Sequence, residues 1–390
     1  MDKITHTLIN TAIETRQQYD KNTSEKNELW VCDDNFTHTS QNIDPAIFNP
    51  IGHTFFITNR VDTHTAIGLE VSRQSALQTY PAYCYLSDFN FADMHLNKLK
   101  NNRLDAVYFR IAKEKALSHY IINQAIAHLN DNGRLILVGQ KSEGIKGYAD
   151  RLKKLLKLPI SLEKNGDIYI VTYIKSTTNK TMLKAEDATQ LDDQHYTEFK
   201  AIHELDLSTH GSNIDKLTIH SKPGVYGWKK FDAGTQLLLH TLLKELDINT
   251  IESALDLGCG SGVIALALKH LGINNVVATD NNITAIMATQ HNALLHALDI
   301  KIIKDDCAKS IDQNFNLVLC NPPFHKGFDT HSPLTTLFVE QAMYKLYPKG
   351  EAWFVVNSFV PIEKNINVNK ATYKTIINNK QFKIIRIIKK

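Results

Sequence analysis

Short apolar runs alternate with longer stretches of helical period in the second half of the chain. The runs read SALDL (253–257), NVVATD (275–280), KIIKDD (301–306), FNLVLC (315–320) and EAWFVVN (351–357). Stretches such as TAIMATQHNALLHAL and PLTTLFVEQAMYKL lie between them, with apolar residues at helical spacing. Strands that alternate with helices predict right-handed βαβ crossovers and a doubly wound, mainly parallel sheet, which is an α/β fold.

The end of the chain follows another pattern. ATYKTII and QFKIIRIIKK flank the polar residues Asn378, Asn379 and Lys380. Two strand-like runs around such a turn predict a C-terminal antiparallel hairpin that closes the parallel sheet.

The first half of the chain repeats part of this plan. LDAVYFRIAKEK (104–115) aligns with FNLVLCNPPFHK (315–326), and NGRLILVG (132–139) aligns with KGEAWFVV (349–356). The offset changes from 211 to 217 residues, so one short insertion suffices. GDIYIVTYIKS also resembles the closing QFKIIRIIKK. The similarity indicates that one α/β domain was duplicated, the alternative being chance resemblance between α/β segments.

A polar segment, STTNKTMLKAEDATQLDDQ, separates the two copies. It places one domain at 1–185 and the other at 195–390. In the alignment, Asn321-Pro-Pro-Phe falls opposite Arg110-Ile-Ala-Lys, and the first half contains no Gly-x-Gly-x-Gly. We therefore expect the N-terminal copy to be degenerate, with a supporting or RNA-binding role.

Composition excludes few functions. Hydrophobic residues make up 43% and charged residues 22%, as in ordinary globular proteins. A net charge of +3 does not by itself indicate a nucleic-acid partner. The five cysteines lack metal-ligand spacing, which predicts reduced thiols and no metal. Without an apolar run of membrane-spanning length, we expect a cytoplasmic protein with no membrane partner, and we expect it to be a monomer.

The clearest motif is the glycine loop DLGCGSG, which begins at Asp256. It follows a predicted strand and precedes a predicted helix, and its glycines are Gly258, Gly260 and Gly262. Glycine lets the backbone turn sharply and approach a ligand closely. A dinucleotide fingerprint needs a third glycine one residue later, where Val263 stands, so NAD is the weaker interpretation. A purely structural turn is the alternative.

Acidic residues end the next two predicted strands. Asp280 follows Gly258 by 22 residues, where a carboxylate can accept both hydroxyls of a ribose. Asp305 and Asp306 end the third strand, where one carboxylate can accept a hydrogen bond from an adenine amine. In isolation, Asp280 is also typical of a helix N-cap, and the pair is also typical of a solvated loop.

The fourth predicted strand ends at Asn321, which Pro322, Pro323 and Phe324 follow. Asn-Pro commonly begins a turn, but ligands bind at the carboxyl ends of parallel strands, where two prolines would hold the amide rigidly. Four such features at four successive strand ends predict one cleft.

With these motifs the sequence resembles the class I S-adenosylmethionine-dependent methyltransferases. The NPPF tetrapeptide resembles that of enzymes which methylate an exocyclic or amide nitrogen. IHSKPGVYGWKKFDAGTQLLLHTL (219–242), NPPFHKG (321–327) and NSFVP (357–361) are similar to segments of the RsmC-like ribosomal RNA guanine-N2 methyltransferases. That family consists of two methyltransferase-like halves, the first one degenerate. The resemblance is strong over about 215–390 and architectural over 1–185.

The resemblance implies two tandem Rossmann-like methyltransferase domains and a role for each motif residue. Asn321 and the Pro322 carbonyl would hold the target amine, and Phe324 would stack on the base. Pro323, Phe324, Lys229 and Lys230 would contact substrate, although these lysines, like Lys222, can equally belong to a solvated loop. The implied contacts to S-adenosylmethionine come from Asp256, Gly258, Gly260, Gly262, Asp280, Asp306, Asp232 and Gln236.

The implied partner is ribosomal RNA of the small subunit, methylated at guanine N2 of 16S rRNA. The sequence departs from the family pattern at Gly227, where Ser is usual, in Trp228-Lys229-Lys230, and at Asp306, where relatives can carry Asn. The alternatives are a 23S rRNA guanine-N2 enzyme, an adenine-N6 or protein-glutamine methyltransferase, and an inert RNA-binding assembly factor.

Overall fold

A computed structural model describes the chain outside residues 1, 20–24, 37–43, 75–79, 95–102, 155–156, 177–189, 206, 208–215, 324, 327–328 and 331. Side chains are also left undescribed at 325–326, 329–330 and 332–333. The chain divides into two compact units, Met1–Tyr196 and Thr197–Lys390. Most of the predicted linker, from Ser176 to about Gln194, lies outside the described residues, and the domain bounds of 1–185 and 195–390 stay predictions.

The first unit alternates strands and helices and ends in two antiparallel strand pairings. Its elements are α1 (Lys3–Gln17), β1 (Glu28–Val31), β2 (Thr54–Thr58), α2 (Val61–Gln74), β3 (Ala82–Leu86), β4 (Leu104–Arg110), α3 (Lys115–His128), β5 (Leu129–Gln140), α4 (Ile145–Lys154), β6 (Ile160–Asn165) and β7 (Ile168–Ile174), with 3₁₀ turns at Pro45–Ile47 and Phe91–Met94.

The second unit adds a small two-stranded sheet before the same plan. Its elements are β8 (Lys200–Leu205), β9 (Leu217–Ser221), α5 (Ala233–Glu245), β10 (Ser253–Leu257), α6 (Val263–His270), β11 (Asn275–Asp280), α7 (Ile283–Leu295), β12 (Lys301–Lys304), β13 (Phe315–Cys320), β14 (His325–Lys326), β15 (Asp329–Thr330), α8 (Ser332–Tyr344), β16 (Leu346–Asn357), β17 (Ala371–Asn378) and β18 (Phe382–Lys389), with 3₁₀ turns at Ile248–Thr250 and Ile362–Asn365.

The two main sheets have the same topology. The strand order is β3-β2-β1-β4-β5-β7-β6 in the first unit and β12-β11-β10-β13-β16-β18-β17 in the second. In each sheet the first five strands pair in parallel, and the sixth pairs antiparallel with both of its neighbours. The predicted fold class, two tandem methyltransferase-like α/β domains, is therefore confirmed.

Each central strand of the second unit is buried on both faces, because helices cover both sides of the sheet. Successive side chains point to opposite faces. Leu317, Leu319 and Trp353 accordingly pack into the core beside α5 and α6, whereas Val318 and Phe354 pack into the core beside α8. This double burial explains why these strands read as continuous apolar runs.

The predicted strands differ from the structure mainly at their ends. The run at 301–306 ends as a strand at Lys304, because Asp305 and Asp306 leave the ladder and begin a turn. The run at 351–357 is the second half of a longer strand that begins at Leu346. The C-terminal hairpin is present as β17 and β18. Within the described residues, no helix combines the length and apolarity needed to cross a membrane.

Phe354→Ala should destabilise the second unit by about 3–5 kcal/mol, since Phe354 is fully buried in the core beside α8 and a cavity would remain. Tyr347→Ala on the same strand removes a ring that is 45% exposed and should cost much less. Denaturant unfolding of the full chain measures both values. Equal losses for the two variants would contradict the assigned register.

Candidate functional site

The glycine loop lies at the carboxyl end of β10, the middle strand of the parallel part of the sheet. Gly262 begins α6 in the left-handed region, with φ of 82°. A Cβ at this position would lie 2.7 Å from Cγ2 of Thr289, so both conformation and space require glycine. A Cβ at Gly260 would meet no atom within 4 Å, which leaves open space in front of the loop.

Asp256, near the carboxyl end of β10, connects this strand to the first turn of α6. Its Oδ2 accepts the Ala265 amide at 3.0 Å, whereas Oδ1 is buried and has no hydrogen-bond partner among the described residues. Burial raises the pKa of the Asp256 carboxyl to about 7, and the nearby Asp280 adds to this effect. Burying a carboxylate oxygen that accepts no hydrogen bond costs free energy of folding, unless a ligand supplies the donor. Asp256 is therefore suited to bind a cationic or hydrogen-bond-donating group of a ligand.

Asp280 ends the neighbouring strand β11 and faces the same loop. Its Oδ2 accepts the Gly260 amide at 3.0 Å, and its Oδ1 accepts the Asn282 amide at 2.8 Å. These two contacts fix the Asp280 carboxylate beside the glycine loop, and a carboxylate is a group that can accept ribose hydroxyls. Asn282, not Asp280, is the N-cap of α7.

The two acids after β12 have different surroundings. Asp305 is buried and accepts the Lys309 and Ser310 amides at 2.9 and 2.8 Å, so it holds the turn together. Asp306 is partly exposed and pairs with Lys309. Asp306 is therefore the more exposed of the two, and its contact with a cofactor stays a prediction.

Asn321 follows β13 and is anchored through its amide nitrogen. Nδ2 donates to Oδ2 of Asp232 at 2.8 Å and to Oγ1 of Thr235 at 2.9 Å. Thr235 in turn donates to the same Asp232 oxygen from its hydroxyl, at 3.1 Å, and from its backbone amide, at 2.7 Å. Asn321, Asp232 and Thr235 thus form a closed triangle, which we call the amide anchor.

The chemistry of the amide anchor fixes the orientation of Asn321. A carboxylate only accepts hydrogen bonds, so the group facing Asp232 must be the amide nitrogen. Both hydrogens of that nitrogen are then used. Within the described part of the chain, no further hydrogen bond involves the Asn321 side chain, so Oδ1 points away from the anchor as an acceptor.

Asp232 has its place in the anchor because it is also the N-cap of α5. The first turn of a helix offers unpaired amides, and a capping carboxylate satisfies them. Its second oxygen accepts the Tyr226 hydroxyl at 3.4 Å. Burial, with Asp232 as a further cause, raises the pKa of Tyr226 to about 12. Gln236, also predicted near a cofactor, is exposed one turn further along α5.

The segment from Pro223 to Lys230 forms successive turns between β9 and α5. The Asn282 side chain donates to the Gly224 carbonyl at 2.8 Å and so connects this segment to the end of β11. Gly227 has a φ of 73°, which accounts for glycine where the resembling family has Ser. Lys229 is exposed above the Trp228 ring, and Lys230 is exposed, whereas Lys222 is buried near Phe199.

The rest of the tetrapeptide is described in part. Pro322 is buried and Pro323 is exposed. Phe324, predicted to stack on a base, lies outside the described residues.

Sequence reasoning missed three polar residues of the site. Thr235 completes the amide anchor, and Asn282 connects two loops. Asn292, fully buried in α7, donates to the carbonyls of Ser261 and His220 at 2.9 and 2.8 Å. The available signal for Asn292 was an Asn within an otherwise apolar helical pattern. The available signal for Thr235 was its position three residues after Asp232, which is typical of a helix N-cap.

The first unit has different groups at the equivalent sheet edge. The strand registers place Arg110 where Asn321 lies, and Cys32-Asp33-Asp34-Asn35 where Gly258-Cys259-Gly260-Ser261 lies. Arg110 is buried and pairs with Glu143 and Asp2 at 3.0 and 3.1 Å. Side chains therefore fill the edge that glycines leave open in the second unit.

Family comparisons match both units. The model described as "Methyltransferase small domain" matches residues 216–386, and "Methyltransferase small domain N-terminal" matches residues 70–165. In the part of the chain that the structure describes, no cluster of His, Cys, Asp and Glu could hold a metal ion.

Two curated relatives that match this chain share one name. "Ribosomal RNA small subunit methyltransferase C" of Actinobacillus succinogenes is 25% identical over 74% of this chain and 79% of its own length. The protein of that name from Haemophilus influenzae is 32% identical over 45% of this chain, and that alignment spans 52% of the relative. 

A solved structure supports the fold over both units. "T. Thermophilus 16S rRNA N2 G1207 methyltransferase (RsmC) in complex with AdoMet and Guanosine" has a TM-score of 0.72 and 19% identity, and the match covers all (100%) of this chain and 92% of that one. At this identity the likeness is one of fold.

Asp256→Asn should stabilise the ligand-free protein at pH 8 by roughly 1–3 kcal/mol, because it removes a buried charge but leaves an unpaired amide. The folded carboxyl has a pKa of about 7 against an ordinary value of 3.8, so its proton is favoured in the folded state. Wild-type stability should therefore fall as pH rises from about 4 to 7, and the variant's advantage should vanish at pH 5. Unfolding at the two pH values measures this, and a variant that is less stable at pH 8 would contradict it.

Proposed function

We propose that this chain, which matches the two methyltransferase small domain models and is similar to proteins named ribosomal RNA small subunit methyltransferase C, methylates the exocyclic N2 of a guanine in 16S ribosomal RNA. The cofactor is S-adenosylmethionine. The observation that carries the proposal is the amide anchor, which presents Oδ1 of Asn321 as a fixed acceptor at the carboxyl edge of the sheet.

The residues around the glycine loop fit S-adenosylmethionine. Its amino-acid end carries an ammonium group, which suits the unpartnered Oδ1 of Asp256. Gly260 leaves space for close approach, Asp280 would accept the ribose hydroxyls, and Asp306 would accept from the adenine amine. Bound there, S-adenosylmethionine supplies an electrophilic methyl group on a sulfonium sulfur.

The chemical difficulty lies in the acceptor nitrogen. The lone pair of a guanine N2 is delocalised into the ring, so the amine is a poor nucleophile. Oδ1 of Asn321 and the Pro322 carbonyl can each accept one N–H. These two hydrogen bonds would direct the lone pair of the nitrogen at the methyl group. A new N–C bond forms as the S–C bond breaks.

The same acceptors stabilise the transition state. Positive charge develops on N2 during transfer, and oxygen acceptors on its hydrogens favour that charge. The extra proton then leaves to water, so no side-chain base is required. Because both hydrogens of the Asn321 amide nitrogen are held by the amide anchor, the acceptor oxygen does not need to reorganise.

The choice of substrate rests on the relatives. Proteins named as small-subunit ribosomal RNA methyltransferases align with this chain across both units, and the structural neighbour of the same name was solved with guanosine. An adenine amine or a glutamine amide has the same pair of N–H groups, so the anchor alone does not separate these substrates.

The test is methylation of unmodified 16S ribosomal RNA by the purified protein with S-adenosylmethionine, followed by nuclease digestion and mass spectrometry. The proposal requires N2-methylguanosine at one position. Methylated adenine, or product only with 23S ribosomal RNA, would overturn the substrate assignment, and no product of any kind would overturn the activity.

Asn321→Ala should lower kcat by about two orders of magnitude or more, the scale of losing one transition-state hydrogen-bonding group. Affinity for S-adenosylmethionine should stay near the wild-type value, because the cofactor residues lie at other strand ends. Asp280→Ala is the matched variant, which should weaken cofactor binding instead. Single-turnover kinetics and calorimetry measure both; wild-type kcat in Asn321→Ala would contradict the mechanism.

A further inference from the structure

The positive charge of this chain is concentrated at one place. Residues 364–390 hold 8 of the 44 Lys and Arg and none of the 41 Asp and Glu. The preceding 363 residues carry 36 positive against 41 negative side chains, so the net charge of +3 comes entirely from this segment. We call residues 364–390 the basic hairpin, because they contain β17 and β18.

Half of these charges are neutralised or used within the fold. Lys383 pairs with Glu363 at 2.6 Å, and Arg386 donates to Glu351 at 2.8 Å. Lys389 and Lys390 donate to the carbonyls of Leu346 and Val368 at 2.6 and 2.7 Å.

The other four lysines of the basic hairpin, Lys364, Lys370, Lys374 and Lys380, are exposed. Among the described residues, none of the four forms an ion pair. Exposed lysines without carboxylate partners are available to an external anion.

The basic hairpin adjoins the amide anchor. Strand β18 pairs with β16, and Asn357 at the carboxyl end of β16 lies opposite Phe382. A Cβ at Gly234, in the first turn of α5, would lie 3.1 Å from the Phe382 ring, so the hairpin packs against the turn that carries Thr235. Lys380 lies in the turn at this edge, Lys374 lies on the edge strand β17, and Lys370 precedes β17 at the opposite end of the strand.

An exposed aromatic ring follows β16, the strand that lies between β13 and the basic hairpin in the sheet. Phe359 is 77% exposed and follows the carboxyl end of β16, the strand next to β13. The Ser358 amide donates to the Gln381 carbonyl at 2.9 Å, which attaches this turn to the hairpin. Proteins that bind single-stranded nucleic acid combine a positive track for the backbone with aromatic platforms for the bases.

We propose that the four lysines and Phe359 form a binding surface for a single-stranded RNA segment, with the lysines on its phosphates and Phe359 stacked on a base next to the target. The inference rests on the proposed RNA substrate and adds where that RNA lies. It enters from the β16–β18–β17 side of the sheet, opposite to the cofactor at β10 and β11.

Edge strands also use lysine to prevent pairing with other chains. That role accounts for Lys374, which lies on β17. It does not account for Lys364, Lys370 and Lys380, which lie outside the strand.

The test compares two variants that each remove two positive charges from the same unit. K374Q/K380Q alters the basic hairpin, and K244Q/K301Q alters α5 and the opposite edge strand β12. Binding of each full-length protein to a 16S ribosomal RNA transcript is measured between about 50 and 200 mM salt.

K374Q/K380Q should bind RNA more weakly at low salt, and its slope of log K against log salt should fall by about 1.4, since each phosphate contact to a single strand contributes about 0.7. K244Q/K301Q should keep the wild-type slope. Affinity for S-adenosylmethionine should be unchanged in both.

Phe359→Ala gives an independent readout. Stacking releases no counterions, so this variant should lose about 5-fold or more in RNA affinity at every salt concentration while keeping the wild-type slope. Leu294→Ala, which removes another highly exposed apolar side chain on α7, should change neither value.

Equal slopes for K374Q/K380Q and its control would overturn the inference, as would aggregation of K374Q/K380Q with an unchanged slope, which would assign these lysines to edge protection. If either contradicting result is obtained while wild-type protein methylates 16S ribosomal RNA, the proposed function is retained and the proposed RNA-binding surface is rejected. If wild-type protein neither binds nor methylates this RNA, both fall together.

Discussion

The hydrogen bond from the Asn321 amide to Asp232 is the constraint on which the site depends. An isolated Asn at a strand end can rotate its amide, and either end can face a ligand. The capping carboxylate of α5 removes that freedom, because a carboxylate only accepts hydrogen bonds and must therefore face the amide nitrogen and not the amide oxygen. One side chain thus begins a helix and determines which atom of Asn321 faces the substrate.

The fold brings these groups together because the strands are parallel. Carboxyl ends of parallel strands meet at one edge, so Gly258, Asp280 and Asn321, distant in sequence, follow adjacent strands of one sheet. The same edge of the second unit contains an energetically unfavourable group. One buried oxygen of Asp256 has no hydrogen-bond partner in the part of the chain that the structure describes, which should lower stability in the absence of ligand.

Much of the fold followed from the sequence, because helices cover both faces of each sheet and the strands therefore read as apolar runs. The topology of the first unit, including its antiparallel end, was visible as a repeat of the second. The glycine loop and Asp280 could be identified because each belongs to a local sequence pattern. The loop is a glycine-rich turn after strand β10, and Asp280 is an acidic residue at the end of strand β11. The roles assigned to individual residues remain predictions.

The amide anchor could not be found in this way. Asn321 and Asp232 are 89 residues apart, and no local pattern predicts their contact. The structure places the Asp232 carboxylate against Asn321, and the proximity of Asp232 to the cofactor, which the resemblance implies, stays a prediction. The net charge of the chain also gave no indication of the basic hairpin. The value of +3 is the sum of a positive segment at 364–390 and a net negative charge over the preceding residues.

The most direct test of the account is a double-mutant cycle between Asp232→Ala and Asn321→Ala, with kcat for methyl transfer to 16S ribosomal RNA as the readout. If Asp232 acts by orienting Asn321, each single variant is slow and the double variant is no slower than Asn321→Ala alone. Losses that add in full would mean that the two side chains act independently, and they would contradict the amide anchor as the basis of the site.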